Sequence, residues 1–186
     1  MNDVLRLLTR RSTPPAALAA PGPTAQELTT LLTIAARVPD HGKLAPWRFI
    51  VFEGEGRERA GRILVEVAHA QRPDASLEQI EAERRRMTSA PLVVAVVSTA
   101  APHPKIPQVE QLLSAAACCQ NLLIGAEAMG YGAAWVTNWF AYDRAALSRL
   151  GVADDETVVG FVHIGSRAER LEDRPRPALE TIVTRF

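Results

Sequence analysis

Apolar positions along the chain alternate between two rhythms. Val4, Leu5, Leu7 and Leu8 cluster at helical spacing and predict a short amphipathic helix over 1–9. Thr24 with Glu27 three residues later is a capping-box pattern, and the helix it opens carries Leu28, Leu31, Leu32 and Ala35 on one face. That helix must stop before Pro39, because the residue preceding a proline avoids the helical region. Residues 13–23 are too rich in proline to form a regular element, and Asp40–Pro46 reads as a polar loop. The run WRFIVFE (47–53) predicts a strand. Helices are expected over 57–70 and, highly charged, over 78–87. PLVVAVVS (91–98) is continuously apolar and β-branched, the pattern of a strand covered on both faces. Residues 109–129 predict a long helix buried on nearly all sides, closed by the glycines of Gly130-Tyr131-Gly132. Beyond it come a strand over 133–138, a helix over 143–150, a buried strand over 157–164 and an edge strand over 181–186. The order mixes α and β with no composition break, so residues 1–186 are expected to form a single α+β domain.

Composition narrows the function. The 186 residues are 47% apolar and 23% charged, which excludes a wholly disordered chain. Basic and acidic residues balance at 21 each, so the excess positive charge of a non-specific nucleic-acid binder is missing, and near-zero net charge favours self-association. No apolar run has the length of a membrane span, and MNDVLRLLTRRS lacks the order of a secretory signal. The two cysteines, Cys118 and Cys119, are adjacent on a helix and cannot face each other, which points to a reducing, cytoplasmic setting.

The common catalytic signatures are absent. There is no G-x-S-x-G, no G-x-x-x-x-G-K-[ST] and no G-x-G-x-x-G. His41, His69, His103 and His163 lack metal-ligand spacing, so no metal site is expected, and His163 reads as a core histidine within a strand. Cys118 and Cys119 sit among alanines and read as packing residues. What remains are polar clusters beside structured elements. Arg10-Arg11-Ser12 offers two guanidinium forks and a hydroxyl, a phosphate-binding chemistry, against the ordinary reading of a solvated helix end. Arg84-Arg85-Arg86, on a helix with Glu81 and Glu83, reads as a solvated face. Asp40-His41-Gly42-Lys43 is either a functional loop or a plain connection. Ala134-Trp135-Val136-Thr137-Asn138 lies at a strand end, where ligands sit in many α/β folds, while Trp135 and Trp139 can equally be packing residues. Arg174-Pro-Arg176-Pro again offers phosphate forks, against a solvated tail.

In this order the clusters resemble the FMN-dependent nitroreductase family, and most of all its small single-domain branch of NAD(P)H nitroreductases. The carriers are Leu7-x-x-Arg-Arg-Ser12, the run from Ala36 to Phe49 (ARVPDHGKLAPWRF), Met129-Gly-Tyr-Gly-Ala-Ala-Trp135, Val159-Gly-Phe-Val-His-Ile-Gly165 and the Arg-Pro tail. The resemblance implies a three-layer α/β/α fold of the α+β class and an intertwined homodimer with FMN at the subunit interface. It implies that Arg10, Arg11 and Ser12 hold the FMN phosphate and ribityl chain. Arg37, His41 and Lys43 would reach the flavin from the partner subunit, and Trp135, Val136 and Thr137 would run alongside its ring system. One tail arginine, Arg174 or Arg176, would bind phosphate. The implied activity passes hydride from NAD(P)H through FMN to a nitroaromatic, quinone or similar electron-poor acceptor, with no catalytic side chain needed because the cofactor carries the chemistry. Larger nitroreductases carry serines and an asparagine where this chain has Asp40-His41-Gly42-Lys43, so their acceptor range does not transfer. A flavin-binding sensor or carrier without turnover, another reaction on the same fold (flavin fragmentation or dehalogenation) and an unrelated dimeric phosphate binder remain the alternatives.

Overall fold

The computed structural model describes residues 2–9, 13–167 and 174–186. Five antiparallel strands form its centre: β1 (Leu18–Ala19), β2 (Trp47–Glu53), β3 (Leu92–Ser98), β4 (Gly132–Val136) and β5 (Thr157–Arg167). β5 is the hub. One edge pairs with β3, which continues to β2; the other pairs with β4; and past the end of β3 its last residues pair with β1. The helices are α1 (Asp3–Leu8), α2 (Ala25–Ala35), α3 (Glu55–Gln71), α4 (Leu77–Thr88), α5 (Gln108–Ala128), α6 (Arg144–Arg149) and α7 (Leu179–Ile182).

Both faces of the sheet are covered, giving three layers. On β3, Leu92, Val94 and Val96 join Leu31 and Ala35 of α2 and Cys118, Cys119, Leu122 and Ala126 of α5. Val93, Ala95 and Val97 point the other way, into Ala60, Leu64 and Val67 of α3, Met87 of α4 and Ala146 and Leu147 of α6. Alternate side chains of one strand thus feed two cores, which is why PLVVAVVS shows no polar alternation. Cys118 and Cys119 are packing residues as expected: both are fully buried, and burial pushes the Cys118 thiol up to about 12.

Several expectations are corrected. Residues 181–186 are not an edge strand: Leu179–Ile182 is one helical turn, and the rest is irregular. Its apolar residues, Leu179, Ile182, Val183 and Phe186, follow the helical i, i+3, i+4, i+7 pattern rather than period two, and all are exposed. The proline-rich stretch does hold structure, a 3-10 turn at Pro15–Ala17 and the two-residue β1. The long α5 is not buried all round, because Val109, Leu112 and Leu113 in its first two turns lie exposed. The run 84–86 is not simply a solvated face. Arg84 bridges Glu58 and Glu81, and Arg86 binds a Glu83 that is only 3% exposed.

Two groups link this fold to pH in separate windows. His163, on β5 between Val93 and Ala134, is buried, and neither ring nitrogen has a hydrogen-bond partner among the described residues. Burial lowers its pKa from 6.5 to about 4. The unfolded chain therefore takes up the proton first, so stability is full above 6.5 and falls as pH drops through this interval. The loss is ~3 kcal/mol from the size of the shift. Glu156 is held at about 2, chiefly by its hydrogen bonds from Arg48, so its contribution is intact above 4.5 and is lost below that. His163→Leu is expected to flatten the pH 4–6.5 limb of a thermal-midpoint profile and to match or exceed the parent at pH 7.5, since two unpartnered buried nitrogens disappear. Arg48→Met should lower the midpoint throughout the range above 4.5, where that contribution is present, and flatten the limb below it. Circular-dichroism melts across pH check both.

Candidate functional site

The residues singled out by sequence fall into three places. The first is β4. Thr13, the residue after Ser12, is buried, and its backbone N–H donates to the Ala133 carbonyl at 2.8 Å. This bond pins the chain to the β4 edge two residues before Trp135. The close approach requires Gly132, where a Cβ would meet Thr13 Oγ1 at 2.8 Å and Leu18 Cδ2 at the same distance. Arg10, Arg11 and Ser12 themselves lie outside the described residues.

Trp135 is held over the sheet by a defect in the ladder. Val158 pairs with Val97 and Gly160 with Val96, so Val159 is skipped as a β-bulge. The Val159 carbonyl accepts the Trp135 indole N–H at 3.2 Å, and the ring lies over Gly160, where a Cβ would fall 2.0 Å from Nε1. A glycine inside a strand is the sequence signal of such an approach, and it was there to be read. The indole remains 37% exposed, Val136 half-buried and Thr137 exposed, so the strip Trp135–Thr137 presents an aromatic face, an apolar side chain and a hydroxyl.

The second place is the loop after α2. α2 and α5 run antiparallel. Tyr131, just past α5, donates its hydroxyl to Glu27 in the first turn of α2 at 2.9 Å. At the other end of α2, Asn121 donates to the Ile34 and Arg37 carbonyls, both at 3.0 Å. The Ser114 hydroxyl caps the Pro39 carbonyl, and His41 Nδ1 pairs with Glu110 at 2.7 Å. Inside the loop the Asp40 carboxylate accepts from the Leu44 and Ala45 N–H groups at 3.1 and 2.9 Å. That clamp holds Lys43 and Ala45 in the left-handed region, at φ 56° and 46°, where side-chain-bearing residues are strained. Arg37, His41 and Lys43 are all exposed. The third place is the tail, where Arg174 and Arg176 are exposed and, among the described residues, Arg176 donates only to nearby carbonyls of Arg174 and Pro175.

His41 and the start of β4 lie far apart on one chain. His41 sits at the N-terminal end of α5, whereas β4 begins beyond the C-terminal end, and 21 residues of helix span ~30 Å. Sequence reading missed Thr13, Gly132, Gly160 and Asn121, whose roles depend on contacts between distant segments. Gly160→Ala is expected to expel the Trp135 indole from its seat. Tryptophan fluorescence should shift towards the emission of a solvent-exposed ring, with a stability loss of ~1–3 kcal/mol from overpacking.

Comparison with known proteins meets this geometry. The Nitroreductase family model matches residues 7–166. A protein of Escherichia coli (strain K12) named "Putative NAD(P)H nitroreductase YdjA" is 33% identical over 164 residues, covering 88% of each chain. Among solved structures, a nitroreductase-like family protein from Bacillus cereus superposes with a TM-score of 0.83 at 22% identity, covering 100% of this chain and 97% of that one. A nitroreductase with bound FMN from Bacteroides fragilis superposes at 0.70 and 21% identity over 100% of both chains. The chain belongs to the nitroreductase family.

Proposed function

We propose that two copies of this chain hold FMN between them and act as an NAD(P)H-dependent oxidoreductase. FMN, when bound, accepts hydride from NAD(P)H and passes electrons to a nitroaromatic, quinone or similar electron-poor acceptor. The observation that carries this reading is the Thr13–Ala133 hydrogen bond. It sets the residue following Arg10-Arg11-Ser12 beside the strand that ends in Trp135, Val136 and Thr137. A phosphate-binding motif that leads into Thr13, and a flat, partly apolar strip on the strand that Thr13 bonds, suit a ligand with a phosphate at one end and a planar ring at the other.

The division of labour follows from the placement. Arg10 and Arg11 supply bidentate cationic donors for the phosphate, with the Ser12 hydroxyl beside them. Trp135 and Val136 give the ring system an apolar wall, and Thr137 a hydroxyl. His41 stands at the N-terminal end of α5 and Arg37 beside its middle, at Asn121; with Lys43 they complete the site from the second copy. Arg174 or Arg176 adds a further phosphate donor from the tail. Exposed apolar residues on α1 (Val4, Leu5, Leu8), α5 (Val109, Leu112, Leu113) and α7 (Leu179, Ile182) provide the surface for a homodimer. The name of the E. coli relative and the FMN held by the Bacteroides structure support the same assignment. Two free, buried thiols suit a cytoplasmic setting. Among the described residues no helix is long and apolar enough to cross a membrane.

The purified protein is expected to be yellow and to bleach anaerobically on adding NADH or NADPH. Colourless protein that takes up no added FMN would sink the reading. Arg11→Ala should yield folded protein with little flavin, measured by absorbance against protein concentration; full flavin content would remove the phosphate role. On a sizing column with light scattering the protein should run as a dimer, and a flavin-bearing monomer would refute the shared site.

A further inference from the structure

A groove on the other side of the sheet from α5 belongs to none of the places above. It has a volume of about 510 Å³ and is lined by Gln71, Arg72, Trp139, Tyr142 and Asp143. That size lies within the range of small-molecule sites. Trp139 opens the 3-10 turn Trp139–Ala141, whose start is capped by Asn138 Oδ1 accepting the Trp139 N–H at 2.8 Å. It follows Thr137 by two residues, so the groove starts within ~7 Å of chain from the end of the strip.

Beneath the groove lies Glu83, a buried carboxylate with three donors. Arg72 and Trp139 Nε1 reach it at 2.7 and 2.8 Å, and Arg86 Nε completes the set at 2.5 Å. Burial pushes the carboxyl up, but the hydrogen bonds from Trp139, Arg72 and Arg86 outweigh it and hold it below the usual range. Glu83 therefore stays charged; the guanidinium groups of Arg72 and Arg86 balance Glu83 and the rim carboxylate Asp143, and Arg72 keeps N–H donors beyond the one it gives to Glu83. The indole N–H is committed, so Trp139 offers its ring. Arg72 gives one of its five N–H groups to Glu83 while half its side chain stays exposed. Asp143 at the rim is already occupied: one oxygen caps α6 through the Ala146 N–H, the other accepts from Gln71 at 2.7 Å. Tyr142 stands at the mouth, 69% exposed. The groove thus combines two aromatic rings, spare guanidinium donors and one rim carboxylate whose two oxygens already accept hydrogen bonds.

We propose that this groove binds a planar aromatic carboxylate, its ring against Trp139 and Tyr142 and its carboxylate on Arg72. The test is calorimetric titration of the purified full-length protein with 4-nitrobenzoate and with its neutral analogue 4-nitrobenzamide. The carboxylate is expected to bind about tenfold or more tightly than the amide, as befits a charge-assisted hydrogen bond. Arg72→Gln should remove that preference while leaving the amide unchanged. Glu83 keeps Arg86 and Trp139 in this variant, so the fold should survive, as circular dichroism would verify. Tyr142→Ala, at an exposed position, should weaken both ligands. No binding of the carboxylate, equal binding of both, or an unaltered preference in Arg72→Gln would overturn the groove as an aromatic-carboxylate site. If the preference holds but the protein proves flavin-free, the groove stands and the flavin-enzyme reading alone falls.

Discussion

Strand β5 must serve three neighbours with 11 residues, and the candidate site follows from how it does so. Along Thr157–Ile164 it gives one edge to β3, along Phe161–Gly165 the other to β4, and at Ser166 and Arg167 it turns to β1. Three partners at staggered positions leave little room for a regular ladder. The bulge at Val159 absorbs the mismatch with β3 and frees a carbonyl for the Trp135 indole. Gly160 leaves space for that ring, and Gly132, opposite Gly165, leaves space for Thr13. Both features that define the strip, the seating of Trp135 and the delivery of residue 13, come from local exceptions to the sheet.

Much of this order was legible because it is periodic. The two-core sheet announces itself in PLVVAVVS, and the capping box at Thr24 and Glu27 forms as its spacing requires. Family motifs named the strip and the loop residues. The positions that hold them in place were not legible, since each acts through a partner distant in sequence. Asn121 is an ordinary helix residue until the α2 carbonyls are set against it. Glu83 reads as a surface charge on a charged helix, yet it is buried by an indole 56 residues away. The tail misled for a different reason. Thr181–Phe186 contains β-branched residues, but the apolar spacing that begins at Leu179 is helical, and a strand reading that starts at 181 cuts that pattern in half.

Charge on this molecule is mostly spent on architecture. Arg48 grips Glu156 with two N–H groups and the Gly151 carbonyl with a third bond, fastening β2 to the segment before β5. Arg57 donates to the Thr88 and Ala90 carbonyls where α4 gives way to β3, and Arg84 ties α4 to α3 through Glu58. Arg37, Lys43, Arg174 and Arg176 differ: they are exposed and carry no ion pair among the described residues. An arginine held by a carboxylate has much of its donor capacity and its charge answered, whereas an unpaired one keeps both for a ligand. Arg37, Lys43, Arg174 and Arg176, assigned to the flavin phosphate or the partner's site, are thus among the cations that the described fold leaves unpaired.

The same accounting separates the aromatic groove from the rest of the surface. Arg72 is architectural by its bond to Glu83, but that carboxylate is shared with Arg86 and Trp139, so each cation is only partly answered. A single buried acid under two guanidinium groups is a costly arrangement to build for stability alone, because the desolvated carboxylate needs all its donors to offset its own burial. Its effect is to fix the Trp139 ring and Arg72 in one geometry at the floor of an open groove. Rigid aromatic and cationic groups placed before any ligand arrives lose little freedom on binding, which is the condition for selecting between molecules that differ only in charge.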